Sequence, residues 1–115
     1  MSPSQNAYPF ELISRRLKAL ADPSRLAILH ALCEGERNVS ELVTETGFTQ
    51  ANISKHLRVL REEDIVTFRR QRRNVYYSLT DNVTIDVCDL ICRSLEERAS
   101  NDRENLERFR SSRNE

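Results

Sequence analysis

Only two glycines, Gly35 and Gly47, occur in these 115 residues, too far apart to build the glycine-rich loop that cradles a nucleotide's phosphates. There is no Cys-x-x-Cys pair, and His30 and His56 are the only histidines. That leaves little material for a redox or hydrolytic centre and argues against an enzyme. Apolar runs are short, and none approaches the ~20 residues that cross a bilayer as a helix. The opening MSPSQNAYPF has neither the basic nor the apolar region of a secretory signal, so the expected location is cytoplasmic. There the three cysteines stay reduced, and an odd number suits thiols better than a disulfide framework. A surplus of one charge is missing too: 18 basic residues balance 18 acidic ones, which argues against a polycation that coats nucleic acid. A chain of this length makes one domain, with a core so small that a lone subunit would be marginal.

What is present is helical patterning. Phe10, Ile13, Leu17, Leu20 and Ala21 recur at helical spacing and predict a first helix. Asp22-Pro23 closes it and opens a second, with Asp22 as N-cap and Pro23 where a missing N–H costs nothing. Leu26, Leu29, Leu32 and Cys33 are its expected buried stripe, and Gly35 its stop. Asn38, with Glu41 three residues on, reads as a capping box for a third helix whose Val39, Leu42, Val43 and Thr46 face inward. Gly47 supplies a turn, and Thr49 caps a fourth helix anchored by Ile53, Leu57 and Leu60. Residues 65–70 and 75–79 are rich in β-branched and aromatic side chains and predict two paired strands, joined by Gln71-Arg72-Arg73-Asn74. Asp81 starts a long last helix carrying Ile85, Cys88, Ile91, Cys92, Leu95 and Ala99 on one side. Residues 1–8 are expected to be loose, and 9–100 to form the domain. Residues 101–115 should be a polar, partly frayed extension of the last helix, which Leu106 and Phe109 are able to prolong.

The resulting class is mainly α with a small β-hairpin, in the order ααααββα, a helix-turn-helix followed by a wing. Such an arrangement reads duplex DNA, and the charge agrees. From Thr49 to Leu79, seven basic residues against three acidic ones leave a net +4 on a chain that nets zero. At about 100° per residue, the face of the fourth helix opposite its anchors is Ala51, Ser54, Lys55, Arg58 and Glu62. Lys55 and Arg58 reach phosphates or guanine edges, and Gln50, Asn52 and Ser54 are able to hydrogen-bond to bases. N–H groups around Thr49 suit a phosphate. Arg69, Arg70, Arg72 and Arg73 stand within five residues without an acid among them. That exceeds what protecting an edge strand requires and favours a phosphate or minor-groove contact. His56, on the flank of the buried stripe, reads as a packing or phosphate-contacting residue before a metal ligand.

LKALADPSRLAILHAL, then SELVTETGFTQANISKHLRVLREEDIV and RRNVYYSLTD, make the chain similar to the ArsR/SmtB family of small winged-helix repressors, over about residues 10–95. The resemblance implies a homodimer joined through the first and last helices. It also implies an inverted-repeat operator of double-stranded DNA and release when a small inorganic effector binds. The family's arsenite-type site has cysteines at the start of the third helix, where this chain has Asn38, Ser40 and Val43. Its zinc-type site on the last helix falls on Asp81, Val83, Ser94 and Glu97, with both histidines missing. Family members that sense persulfide or oxidants use a cysteine pair whose positions correspond to His30 and roughly Glu96.

Three thiols remain. Cys88 and Cys92, at i and i+4 on the last helix, put both sulfurs on one face, close enough to hold arsenite or one soft metal ion. Cys33 and Cys92, displaced about one turn from the family's redox positions, are the second candidate pair. The expected function is therefore a sequence-specific DNA-binding repressor released by a thiol-reactive effector, either arsenite or a soft metal, or persulfide or an oxidant. The alternative is a constitutive DNA-binding or protein-interaction winged-helix module whose cysteines only pack.

Overall fold

The computed structural model describes residues 8–114, in the order α1 (Tyr8–Leu20), α2 (Pro23–Leu32), α3 (Val39–Thr46), α4 (Gln50–Glu62), β1 (Val66–Gln71), β2 (Asn74–Leu79) and α5 (Val83–Asn114). The mainly helical class with one hairpin is as expected. The loose segment expected over residues 1–8 lies outside the described residues, apart from Tyr8. The chain divides after Asn82, so that α1 through β2 form one unit and α5 another. No helix among the described residues is long and apolar enough to cross a membrane.

In the first unit, local side chains set the helix ends. Asp22 Oδ1 accepts from the backbone N–H groups of Ser24 (2.9 Å) and Arg25 (3.0 Å) at the start of α2. These bonds, that from Arg25 first, together with the nearby positive charge, hold the Asp22 carboxyl below its ordinary range. Arg25 in turn donates to the last carbonyls of α1, from Nε to Ala19 O at 2.6 Å and from Nη2 to Lys18 O at 3.2 Å. One side chain thereby satisfies two acceptors that a helix C-terminus leaves open. Asn38 and Glu41 form the reciprocal capping box of α3, with bonds of 2.8 and 3.0 Å. Gly47 closes α3 at φ 76°, a left-handed conformation that a side chain resists. Thr49 Oγ1 accepts from Asn52 N at 3.2 Å and starts α4.

The core of this unit is Ile28, Leu29 and Leu32 of α2, Leu42 of α3, Ile53, Leu57 and Leu60 of α4, and Ile65 and Val66 at the start of the hairpin, with Ala19 and Leu20 of α1. The α2 stripe therefore differs from the expected one. Ile28 is fully buried, whereas Leu26 and Cys33 are exposed. Cys33 is the C-cap of α2, beyond its packed turn, and Gly35 follows two residues later with φ 139°.

β1 and β2 pair antiparallel from Val66↔Leu79 to Gln71↔Asn74, so the connection is the two residues Arg72-Arg73 and not the expected four. Gln71 and Asn74 extend the ladder by one pair. A third strand is reduced to one bridge, in which Arg37 N donates to Tyr77 O (3.0 Å) and Tyr77 N to Arg37 O (2.8 Å).

α5 begins at Val83, two residues after the expected Asp81, and continues through Asn114. Along it Leu90, Ile91, Leu95, Leu106 and Phe109 are all exposed, as are Phe10, Ile13 and Leu17 on α1.

Candidate nucleic-acid interface

α4 is held to the core by Ile53, Leu57 and Leu60, each no more than 1% exposed. The helical repeat then turns Gln50, Ala51, Asn52, Ser54, Lys55 and Arg58 outward, and the structure places all six, with Thr49, at the surface. Arg70 near the hairpin end and Arg72 and Arg73 in its turn are exposed as well.

His56, counted among the candidate DNA contacts, departs from that group. It is 7% exposed, and its Nδ1 lies 3.4 Å from Arg25 Nη1. An imidazole packed inward against a guanidinium from α2 belongs to the support beneath the reading helix. Of the two roles expected for it, packing is the one this burial fits.

Arg69 is also set apart from its arginine neighbours. Its Nε donates to Glu36 Oε2 at 2.9 Å, and its Nη2 donates to the other carboxylate oxygen, a two-point pair across 33 residues. The hydrogen bond from Arg69 pulls the Glu36 carboxyl below its ordinary value and lifts Arg69 above its own. Arg69 also lies over the Tyr76 ring at 4.9 Å. Arg37 is occupied by Glu45 through a single bond from Nε to Oε1 at 2.7 Å, which raises its pKa.

A sorting of the cations follows. Among described residues up to Asn82, Arg15 and Arg16 are bound to Glu63, Arg25 to the end of α1, Arg37 to Glu45 and Arg69 to Glu36. The cations without a carboxylate or carbonyl partner are Lys18, Lys55, Arg58, Arg61, Arg70, Arg72 and Arg73, and all but Lys18 lie on α4 or the hairpin. Unspent positive charge is thus concentrated on one helix and the wing beside it.

Between them runs a groove of about 480 Å3 lined by Ser54, Leu57, Arg58, Arg61, Glu62 and Tyr77. Sequence reasoning left Arg61 and Tyr77 out of the site. Arg61 was recoverable, since Ser54, Arg58, Arg61 and Glu62 stand at i, i+4, i+7 and i+8 on one stripe. Tyr77 became a candidate only once the hairpin was placed against α4.

The model of the bacterial regulatory proteins of the arsR family matches residues 22–67. A transcriptional repressor SmtB homolog of Synechocystis sp. is 40% identical over 79 residues, which are 69% of this chain and 60% of that protein. Among solved structures, the crystal structure of NolR from Sinorhizobium fredii superposes with a TM-score of 0.71 at 30% identity, covering 81% of this chain and 92% of that one. The chain belongs to the ArsR family. A further neighbour is the homodimeric winged helix-turn-helix DNA-binding domain of a possible ArsR-family regulator from Mycobacterium bovis. Its TM-score is 0.76 at 29% identity, over 88% of this chain and 93% of that one. The matched segment spans about three fifths of the length of the curated relatives.

Within this ArsR-family fold the three thiols are not core residues: Cys33 and Cys92 are exposed and Cys88 is half-buried. Cys92 Sγ lies 3.7 Å from Glu96 Oε1 one turn on, and Arg93 pairs with Asp89 at 2.6 Å on the same helix. The negative charge of Glu96 above all, then reduced hydration, the contact with Glu96 and Asp89 beyond it, raise the Cys92 thiol above its ordinary value. Among the described residues no cluster of three or more His, Cys, Asp or Glu side chains is placed to hold a metal ion.

Proposed function

We propose that this chain is a homodimeric, sequence-specific DNA-binding repressor acting in the cytoplasm, with no enzymatic activity of its own. The observation that carries the reading is that, among the described residues up to Asn82, every cation without a carboxylate or carbonyl partner except Lys18 lies on α4 or the wing, and the other face of that helix is locked into the core. Thr49, Gln50, Ala51, Asn52, Ser54, Lys55 and Arg58 form the face that enters the major groove, while Arg70, Arg72 and Arg73 hold flanking phosphates. Dimerisation through α1 and α5 is supported by the apolar side chains both expose and by the homodimeric Mycobacterium bovis neighbour. Two reading heads related by a two-fold axis call for an inverted-repeat operator with half-sites about one helical turn apart.

The effector reading is soft: arsenite or a thiophilic metal ion held by Cys88 and Cys92. Their spacing of four residues brings both sulfurs to one face of α5, and the carboxylate of Glu96 next to Cys92 adds negative charge that attracts a metal cation. Binding a divalent ion by both thiols forms two metal–sulfur bonds and releases two protons. One chain offers a two-sulfur bite and not a closed site.

Gel shifts on an operator fragment test both levels. Lys55→Ala and Arg58→Ala are each expected to weaken binding without loss of helical circular dichroism. Unchanged affinity and salt dependence in both would remove α4 as the reader. For the effector, Cys88→Ser and Cys92→Ser should each abolish release by arsenite or cadmium, with Cys33→Ser tolerated. If Cys33→Ser and Cys92→Ser abolish the response to persulfide or peroxide while Cys88→Ser responds, sensing is by redox chemistry. A triple serine variant that represses and releases normally would reduce the cysteines to packing.

A further inference from the structure

We infer that the groove between α4 and β2 is a seat for the DNA sugar-phosphate backbone, and that Arg61, held in place by Phe68, is its principal cation. The inference rests on the DNA-binding reading above and adds a contact outside the face that meets the bases.

The guanidinium carbon of Arg61 lies 4.5 Å from the centroid of the Phe68 ring. Stacking occupies the flat face of a guanidinium and leaves its N–H groups pointing outward in their plane. Among the described residues no carboxylate or carbonyl takes those groups, in contrast to Arg69 one strand position beyond Phe68. Phe68 is itself steadied by Tyr77 across the strands, with ring centroids 6.0 Å apart. The side chain is therefore pre-positioned, and little rotamer freedom is lost when it meets an anion.

The rest of the lining suits a phosphodiester. Leu57 gives an apolar floor, Ser54 and Tyr77 bring hydroxyls, and Arg58 stands one turn from Arg61. Glu62 is the one acid and leaves the lining net positive, which directs an anion toward the Arg58–Arg61 side. Ser54 and Arg58 belong to both the groove and the exposed face of α4, while Tyr77 belongs to the hairpin that ends in Arg72-Arg73. A strand leaving a major groove read by α4 toward that wing passes over this groove.

The test uses the full chain and a duplex carrying its operator, with a random duplex of equal length. Arg61→Gln is expected to weaken both complexes alike and to lower the slope of log affinity against log salt by ~1, as loss of one phosphate contact does. Arg61→Lys should keep the slope with weaker binding, and Phe68→Leu should do the same by freeing the arginine. If Arg61→Gln lowers thermal stability while slope and affinity stay at wild-type values, Arg61 only packs and the inference fails. Inorganic phosphate at matched ionic strength separates the polymer from a free anion. Displacement of DNA no greater than by chloride supports the backbone seat. Displacement by phosphate from wild type but not from Arg61→Gln would make the groove a small-anion site and overturn the inference. Failure of the underlying reading would show differently, as wild-type protein that binds no duplex or as Lys55→Ala and Arg58→Ala without effect.

Discussion

Residues 8–82 and α5 handle apolar surface in opposite ways. In the first unit Ile28, Leu42, Ile53, Leu57, Leu60 and Val66 are each under 2% exposed, and the helix ends are closed by Asp22, Arg25, Asn38 and Thr49. α5 spends 32 residues on a single helix, and Leu90, Ile91, Leu95, Leu106 and Phe109 are each more than half exposed on it. The first unit is specified by contacts within one chain. The second carries an apolar stripe that calls for a partner, and a second copy is the occupant proposed above. Apart from Phe10, Ile13 and Leu17 of α1, which are exposed like the stripe of α5, stability and assembly are thus assigned to different stretches of sequence, which makes them separable by mutation.

The largest effect expected is in the core. Leu60→Ala should destabilise folding by ~2–5 kcal/mol, measured by urea denaturation, because the cavity has no room to collapse beneath α4. Leu95→Ala should leave the fold intact and instead raise the dimer dissociation constant in sedimentation equilibrium. Similar unfolding effects at the two positions, with no change in association, would break the contrast between the units.

Next is the surface charge. Replacing Arg72 and Arg73 together by Ala should lower affinity for operator and random DNA alike, with a salt slope reduced by ~2. Loss confined to the operator would show that the wing reads bases or groove shape.

A smaller effect sharpens the view that local caps define the first unit. Asn38→Ala should cost ~1 kcal/mol in the same urea assay, since it opens the capping box of α3. Asn38→Asp should be tolerated.

The smallest effect concerns pH. Glu36 has a lowered carboxyl pKa when folded, so its contribution is fully present above the unfolded value near 4.5 and fades as the pH falls through the lower folded value. Thermal melts of Glu36→Gln should therefore differ from wild type at neutral pH and converge with it in acid. A constant difference down to pH 2 would mean the Glu36–Arg69 pair contributes nothing through its charge.

Much of this was legible in the residues because caps and turns are local. Asp22-Pro23, Asn38 with Glu41, Gly47 and Thr49 each act on backbone within three or four residues, and the four helix starts or stops they mark fall where expected. The α2 stripe was not legible. Leu26, Ala27, Ile28, Leu29, Ala31 and Leu32 leave that helix apolar on most sides, so more than one stripe satisfies the period, and packing against α3 and α4 selects Ile28. Arg69 and His56 were obscured for another reason. Their partners Glu36 and Arg25 lie 33 and 31 residues away, and no short-range pattern announces such a pair. The pair at Arg69 explains why four arginines near the tip amount to three with unspent charge.

Arg72 sits at φ 59°, in the first position of a two-residue turn where glycine or asparagine rests without strain. On the DNA-binding role proposed for the wing, backbone comfort and function pull against each other at this one residue. Arg72→Gly should steady the hairpin while stripping it of a cation, so a screen for thermal tolerance and a screen for repression would choose opposite residues there. Under that proposal, arginine at this position trades firmness of the wing for what the wing touches.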